Sequence, residues 1–208
     1  MAGAPLALAL ACTTASEDFG RALGISNQAD ADSAAGTTEL DFLFIDGDVT
    51  DLSPLLSLTS VRSGVYVQRT TELRSLHGLE NVRALEQGPP PYLSVQIQDN
   101  AALEDVSALQ MPRASSIGFV GGNAALVNIV LGTVELDYLA VEEEATVATV
   151  RSPTLEVIEQ SLLVSNVPLL CTVELPALRA LGGITASYEV CWPEEEQQAL
   201  LEQAGDGS

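Results

Sequence analysis

The chain has no lysine, and its eight basic residues are all arginine. Against them stand 29 acidic residues, so the formal charge is −21 over 208 residues. Such a surface repels phosphate backbones and anionic bilayers, which argues against nucleic acid as a partner and against charge-driven membrane binding. Histidine is nearly absent: His77 is the only one. A metal centre built on histidine–cysteine clusters therefore has nothing to draw on, and no metal or other cofactor is expected. A serine-type relay would have to use His77, yet no Gly-x-Ser-x-Gly elbow is present. No glycine-rich phosphate loop follows a strand. No stretch approaches eighteen consecutive apolar residues, so no helix is expected to span a membrane. Aromatic residues are scarce, with four Phe, four Tyr and one Trp.

What is abundant is aliphatic. Apolar residues make up 47% of the chain and charged residues only 18%, a balance that favours a packed core over disorder. These residues recur in a unit seen most plainly in Val95 to Leu109, VQIQDNAALEDVSAL. Val95 and Ile97 alternate with Gln96 and Gln98, as in a strand with one buried face. Asp99-Asn100 turns the chain. Leu103, Val106 and Leu109 follow at a spacing of three, which is neither strand nor helix.

With Ile97 as an anchor, equivalent anchors are Ile45, Val67, Val120, Val141 and Val164. Successive anchors are 22, 30, 23, 21 and 23 residues apart. A fixed period in the low twenties marks a solenoid, in which no coil has enough apolar surface to fold alone. The 30-residue interval holds an insertion, EQGPPP, between Leu85 and Tyr92. Its three prolines favour a stiff, extended, protruding loop.

Residues 1 to 12, MAGAPLALALAC, are apolar and rich in small side chains. They resemble the end of a bacterial lipoprotein signal, with Cys12 as the lipidated residue, although Ala9 and Leu10 depart from the usual pattern and no basic segment precedes the apolar core. Residues 13–38 read as an Ala/Ser/Thr/Asp-rich tether or N-terminal cap, residues 39–192 as the solenoid, and residues 193–208 as a capping helix and tail. The helix is expected over 194–204, with Pro193 at its start, Glu194, Glu195 and Glu196 at its positive end, and Gly205 ending it.

The segments GVYVQRTTELRSLHGLENV, LSVQIQDNAALEDVSAL and SLLVSNVPLLCTVELPALRALGG resemble the receptor L-domain family. That family is known from ligand-binding receptor ectodomains and from bacterial secreted and surface proteins. The resemblance covers about residues 40 to 204. It implies a mainly β, right-handed parallel β-solenoid of about six to seven coils, each a strand, a turn and a less regular return. It also implies an extracellular or cell-envelope location. Asn100 and Asn123 sit three after their anchors, whereas Thr70 and Glu144 replace Asn elsewhere, so the coils at 67 and 141 are expected to turn less tightly. Cys171 and Cys191 lie 20 residues apart, close to one coil. Stacked positions are about 4.8 Å apart, within disulfide reach. Either they pair, if the chain is exported, or they are two buried thiols filling the final coil.

If anchors point inward, the residues one and three before them point outward. Those rows place Phe42, Phe44, Tyr66, Gln96, Phe119 and Tyr138 on one face, an aromatic strip with a polar rim of the kind that binds a protein or a glycan. At Phe119-Val120 the register stays open, since Ile117 and Phe119 serve equally well as the inward pair. Asp46, Asp48 and Asp51 form a fragment of a calcium loop without its later carboxylate, and a solvated turn is the simpler reading. Glu142-Glu143-Glu144 likewise reads as a solvated turn. The expected function is a non-enzymatic extracellular or cell-surface binding or structural module. The alternatives are a purely structural spacer and a polysaccharide-active lyase or hydrolase, drawing carboxylates from Asp46, Asp48, Glu142 or Glu144 with support from Arg69 or Arg113.

Overall fold

The structure is a computed structural model, and it describes residues 21–84 and 94–205. The first coil holds strand β1 (Ala22–Asn27) and a short helix α1 (Gln28–Ser33). Strand β2 (Glu39–Asp48) follows, then a 3-10 turn over Ser53–Ser57 and strand β3 (Ser60–Thr70). Next come β4 (Arg83–Ala84), β5 (Ser94–Gln98), β6 (Arg113–Val120), β7 (Asn128–Val130) and β8 (Glu135–Glu142). The chain continues through β9 (Thr149–Arg151), β10 (Val157–Val167), β11 (Thr172–Glu174), β12 (Ala180–Leu181) and β13 (Ile184–Val190). Helix α2 (Glu194–Gly205) ends the described chain. Among the described residues no helix is long and apolar enough to cross a membrane.

The strands form a mainly β solenoid of about seven turns. Ten of them make one parallel sheet, and β7, β9 and β11 make a smaller one on the return side. The core lies between. Ile25, Ile45, Val67, Ile97, Phe119, Val141 and Val164 pair in register and are buried. On the return side Leu52, Leu55 and Leu58, then Leu73, Leu76 and Leu79, then Leu103, Val106 and Leu109 are buried one coil above another. Each coil thus supplies two or three aliphatic side chains from either side, and the shared interior forms only by stacking.

The register corrects the sequence reading at one coil. Phe119, not Val120, is the inward anchor: it pairs with Ile97 and Val141 and is fully buried. The cause is the turn after it. In the coils at Val67, Ile97, Val141 and Val164 one left-handed residue precedes the Asn-equivalent position, whereas here both Gly121 (φ 57°) and Gly122 (φ 74°) precede Asn123. Counting back from Asn123 therefore lands one residue too far along.

The same left-handed position recurs two residues after each anchor from Ile45 to Val164. It holds Gly47, Arg69, Asp99, Gly121, Glu143 and Asn166, all with φ between 55° and 69°. The coils at 67 and 141 therefore turn as tightly as the others, contrary to expectation. Pairing geometry along the sheet fixes the backbone there, whatever the side chain.

Residues 21–38 form a coil of their own. Ile25, Ala31 and Ala34 enter the core, and the Gln28 amide ties α1 to the next coil by accepting from Thr50 and Asp51 N–H and donating to Asp51 C=O. Residues 1–12, with Cys12, lie outside the described residues, as does the proline-rich insertion. On either side of that insertion the ladder keeps its register, with Val67 opposite Ile97.

The other end is closed by α2. Leu200 and Ala204 are buried, and the Gln203 amide donates to the carbonyls of Leu175 and Leu178, both at 3.0 Å. Cys171 and Cys191 are joined in a disulfide, with Cα atoms 4.6 Å apart.

Candidate functional site: the outward face of the main sheet

Outward side chains on a parallel sheet stack in rows, one per strand. One row runs Phe44, Tyr66, Gln96, Gly118, Ala140, Leu163. The next runs Phe42, Gly64, Ser94, Ser116, Tyr138, Ser161. Phe42, Phe44, Tyr66, Gln96 and Tyr138 are thus brought to one face. Phe119 is not: it lies in the core, and Gly118 takes the outward place assigned to it.

Three of the aromatics form a continuous stack. The Phe44 and Tyr66 ring centroids are 5.0 Å apart with planes 9° from parallel, and Phe42 adds to Phe44 at 6.0 Å. Such pairs contribute roughly 0.5–1.5 kcal/mol beyond their burial. Phe44 remains 39% exposed. Gly64 makes the stack possible. A Cβ there would come within 2.5 Å of the Tyr66 ring, so the ring lies down over the glycine instead of standing off the sheet. Gly64 is in the outward row on sequence grounds, but its role is visible only once Tyr66 is placed beside it.

Tyr138 stands three strands away and is 42% exposed. Its hydroxyl donates to the Gln160 side chain. Gln160 reaches it because β10 carries one more residue than β8 between Ile158 and Ser161, a bulge that lifts Glu159 and Gln160 out of the ladder. No sequence pattern marks that bulge or the place it gives Gln160. Gln96 donates to Gln98 at 3.2 Å, which holds two amides together on the same face.

A second set of polar groups lies inside the coils. Asn100 Oδ1 accepts from Thr70 N–H and Oγ1, at 3.2 and 2.8 Å. Asn123 Oδ1 accepts from Asn100 N–H and Nδ2, and Asn123 Nδ2 donates to the Glu144 carboxylate. Asn100 Nδ2 also donates to Val67 C=O. Thr70, Asn100, Asn123 and Glu144 are all buried. Glu144 is therefore no part of a solvated turn. Burial holds its carboxyl above the ordinary glutamate range, aided by the Asp99 charge and opposed by hydrogen bonds from Asn123. This ladder serves the turns, replacing water for backbone groups that the corner leaves unpaired.

Asp46, Asp48 and Asp51 do not converge. Asp46 lies 3.7 Å from Arg69, Asp48 accepts from Thr71 Oγ1, and Asp51 accepts from Ser53 N–H and Oγ. The hydroxyl and amide of Ser53 hold the Asp51 carboxyl below its ordinary range. Among the described residues no group of three or more His, Cys, Asp or Glu is placed to hold a metal ion. Asp46 and Glu142 occupy the same outward row but four strands apart, which is about 19 Å at the usual strand spacing. Arg113 pairs with Glu159 at 3.0 Å. His77 is an exposed residue whose Nδ1 contacts Glu80; burial pushes the Glu80 carboxyl up, but hydrogen bonds from backbone N–H groups, among them that of Gly78, and from His77 outweigh it.

No family model, no curated protein and no solved structure matches this chain.

Proposed function

We propose that this chain is a non-enzymatic binding module of the extracellular space or the bacterial cell envelope, and that it docks a protein or glycan on the outward face of its main sheet. The observation that carries the reading is the Phe42–Phe44–Tyr66 stack, three near-parallel rings on the outward face of the sheet, with Phe44 exposed and Phe42 and Tyr66 half-buried. Rings serving only the fold would be turned inward, as Phe119 is. The exposed Cys171–Cys191 disulfide supports an oxidising compartment. Cys12 is the proposed point of lipid attachment.

The competing reading, a polysaccharide-active enzyme, has less support. Paired glycosidase carboxylates work at roughly 5–9.5 Å; Asp46 and Glu142 are much further apart, and Glu144 is buried. A structural spacer would leave the stack without a role. The test is attachment of the purified chain to isolated cell-envelope fractions. The Phe44→Ala/Tyr66→Ala double variant is expected to lose attachment while keeping its fold. Equal attachment by the two proteins would overturn the proposal.

A further inference from the structure

The middle of the outward face is uncharged where the rest of the molecule is acidic. Between the Phe44–Tyr66 stack and Tyr138 the outward positions are Ser94, Gln96, Ser116, Gly118 and Ala140, with Gln98 in the adjoining row. None carries a charge, in a chain whose formal charge is −21. Acidic side chains stand only at the limits of that row, Asp46 on one side and Glu142 on the other.

We propose that this window binds a neutral polysaccharide chain lying across the strands, with one sugar ring on the Phe44–Tyr66 platform and another on Tyr138. The proposal rests on the binding-face reading and names its ligand class. Both platforms are organised in advance. Tyr66 is pinned between Phe44 and the Gly64 backbone, and Tyr138 is tethered to Gln160, so little side-chain freedom is lost on binding. The apolar C–H groups of a pyranose match the ring surface that Phe44 and Tyr138 leave exposed, and burying the two against each other removes apolar surface from water. Three strand steps separate the platforms, about 14 Å, a span that calls for an extended oligomer and exceeds any single ring.

The floor fits the same class. Glycine, alanine and serine leave room for a ring to approach the sheet. Serine hydroxyls and glutamine amides both donate and accept, as sugar hydroxyls do. An anionic polysaccharide would enter a strongly negative field with no arginine in the window to receive it. A basic peptide would find no carboxylate between the platforms. A wholly apolar partner would strip water from the Gln96 and Gln98 amides and return nothing.

The test is calorimetric titration of the full chain with cellohexaose, laminarihexaose, mannohexaose and chitohexaose, with polygalacturonate and chitosan oligomers as the anionic and cationic arms. At least one neutral hexasaccharide is expected to bind with an affinity that salt does not change. Its trisaccharide, able to reach one platform only, should bind about tenfold more weakly, the loss of one stacking contact. Tyr66→Ala and Tyr138→Ala should each lower the affinity about tenfold, whereas Tyr66→Phe keeps it and Tyr138→Phe, which retains the ring but loses the tether to Gln160, lowers it by less than Tyr138→Ala does. Ser116→Glu, which leaves every ring in place, should lower it as well; this variant decides the matter if an alanine variant fails to fold. Binding by the charged arms alone, no binding by any neutral oligomer, or full affinity in Tyr138→Ala would overturn the inference. If no neutral oligomer binds but Tyr66→Ala still abolishes attachment to envelope fractions, the inference falls and the binding face stands. If nothing depends on Tyr66, both fall.

Discussion

At the scale of single residues, the turns hold the least obvious chemistry. Arg69, Asp99, Glu143 and Asn166 adopt left-handed backbone, which Asp and Asn tolerate but which costs about 1–2 kcal/mol at Arg69 and at Glu143. Asp99 and Asn166 are of types that tolerate the conformation, and the turn at Asp99-Asn100 is legible for that reason, as Gly47 and Gly121 are; nothing in Arg69 or Glu143 announces it. The usual rule that glycine weakens a fold is therefore inverted here. Glu143→Gly is expected to raise stability by about 0.5–1 kcal/mol, the strain relieved less the extra freedom of the unfolded chain, as read by urea denaturation. Gly78 is the opposite case. It has φ 113°, and an added Cβ would sit 2.0 Å from Leu52 C=O, so Gly78→Ala should cost more than about 1 kcal/mol. Glu144 makes a pH prediction. Its folded carboxyl titrates above its ordinary range because it is buried, so the folded state holds the proton more tightly than the unfolded state does. Its favourable contribution is complete below the ordinary glutamate range and is lost as pH rises through the raised value. Glu144→Gln can still accept from Asn123 Nδ2. The variant should match the wild type in acid and become more stable than it as pH approaches neutral, in paired thermal melts across that interval.

At the scale of elements, legibility followed the size of the apolar signal. The return segments were readable because Leu, Val and Ile recur at a spacing of three, and the structure buries them. The coil at Phe119 was misaligned by a single additional glycine, since a one-residue change in register exchanges the two faces of a strand. The first coil was read as tether or cap because its core is one isoleucine and two alanines, too little to stand out from an Ala/Ser/Asp background. Its helix is marked locally instead. Asn27 Oδ1 accepts from Asp30 N–H, and the Asp30 carboxyl accepts from Ser26, which holds it below its ordinary range. At the far end the disulfide closes a loop of about twenty residues that spans the last coil. Chain-entropy arguments put its contribution near 3 kcal/mol. The Cys171→Ser/Cys191→Ser variant should lose about that much, and amide exchange should speed first in α2 and β13, leaving β5, β6 and β8 protected.

At the scale of the molecule, charge and order pull in different directions. Six arginines each pair with a carboxylate on a neighbouring coil: Arg62 with Asp41, Arg69 with Asp46, Arg74 with Glu104, Arg113 with Glu135, Arg151 with Glu174 and Arg179 with Glu156. They are exposed and individually weak. The remaining acidic excess repels itself along the whole stack. Added sodium chloride should therefore raise the melting temperature by several degrees, because screening relieves more repulsion than it removes attraction; a melting temperature that falls with salt would show the cross-coil pairs to be the stronger effect.

The ladder across the proline-rich insertion has a practical meaning. Val67 and Ile97 are neighbours although eight more residues separate them than separate Ile45 from Val67. The ladder between β3 and β5 thus tolerates a longer connection than its neighbours have: a foreign epitope or reporter inserted between Ala84 and Ser94 is expected to leave Val67 paired with Ile97, so that the protein could carry cargo without its strands being re-registered.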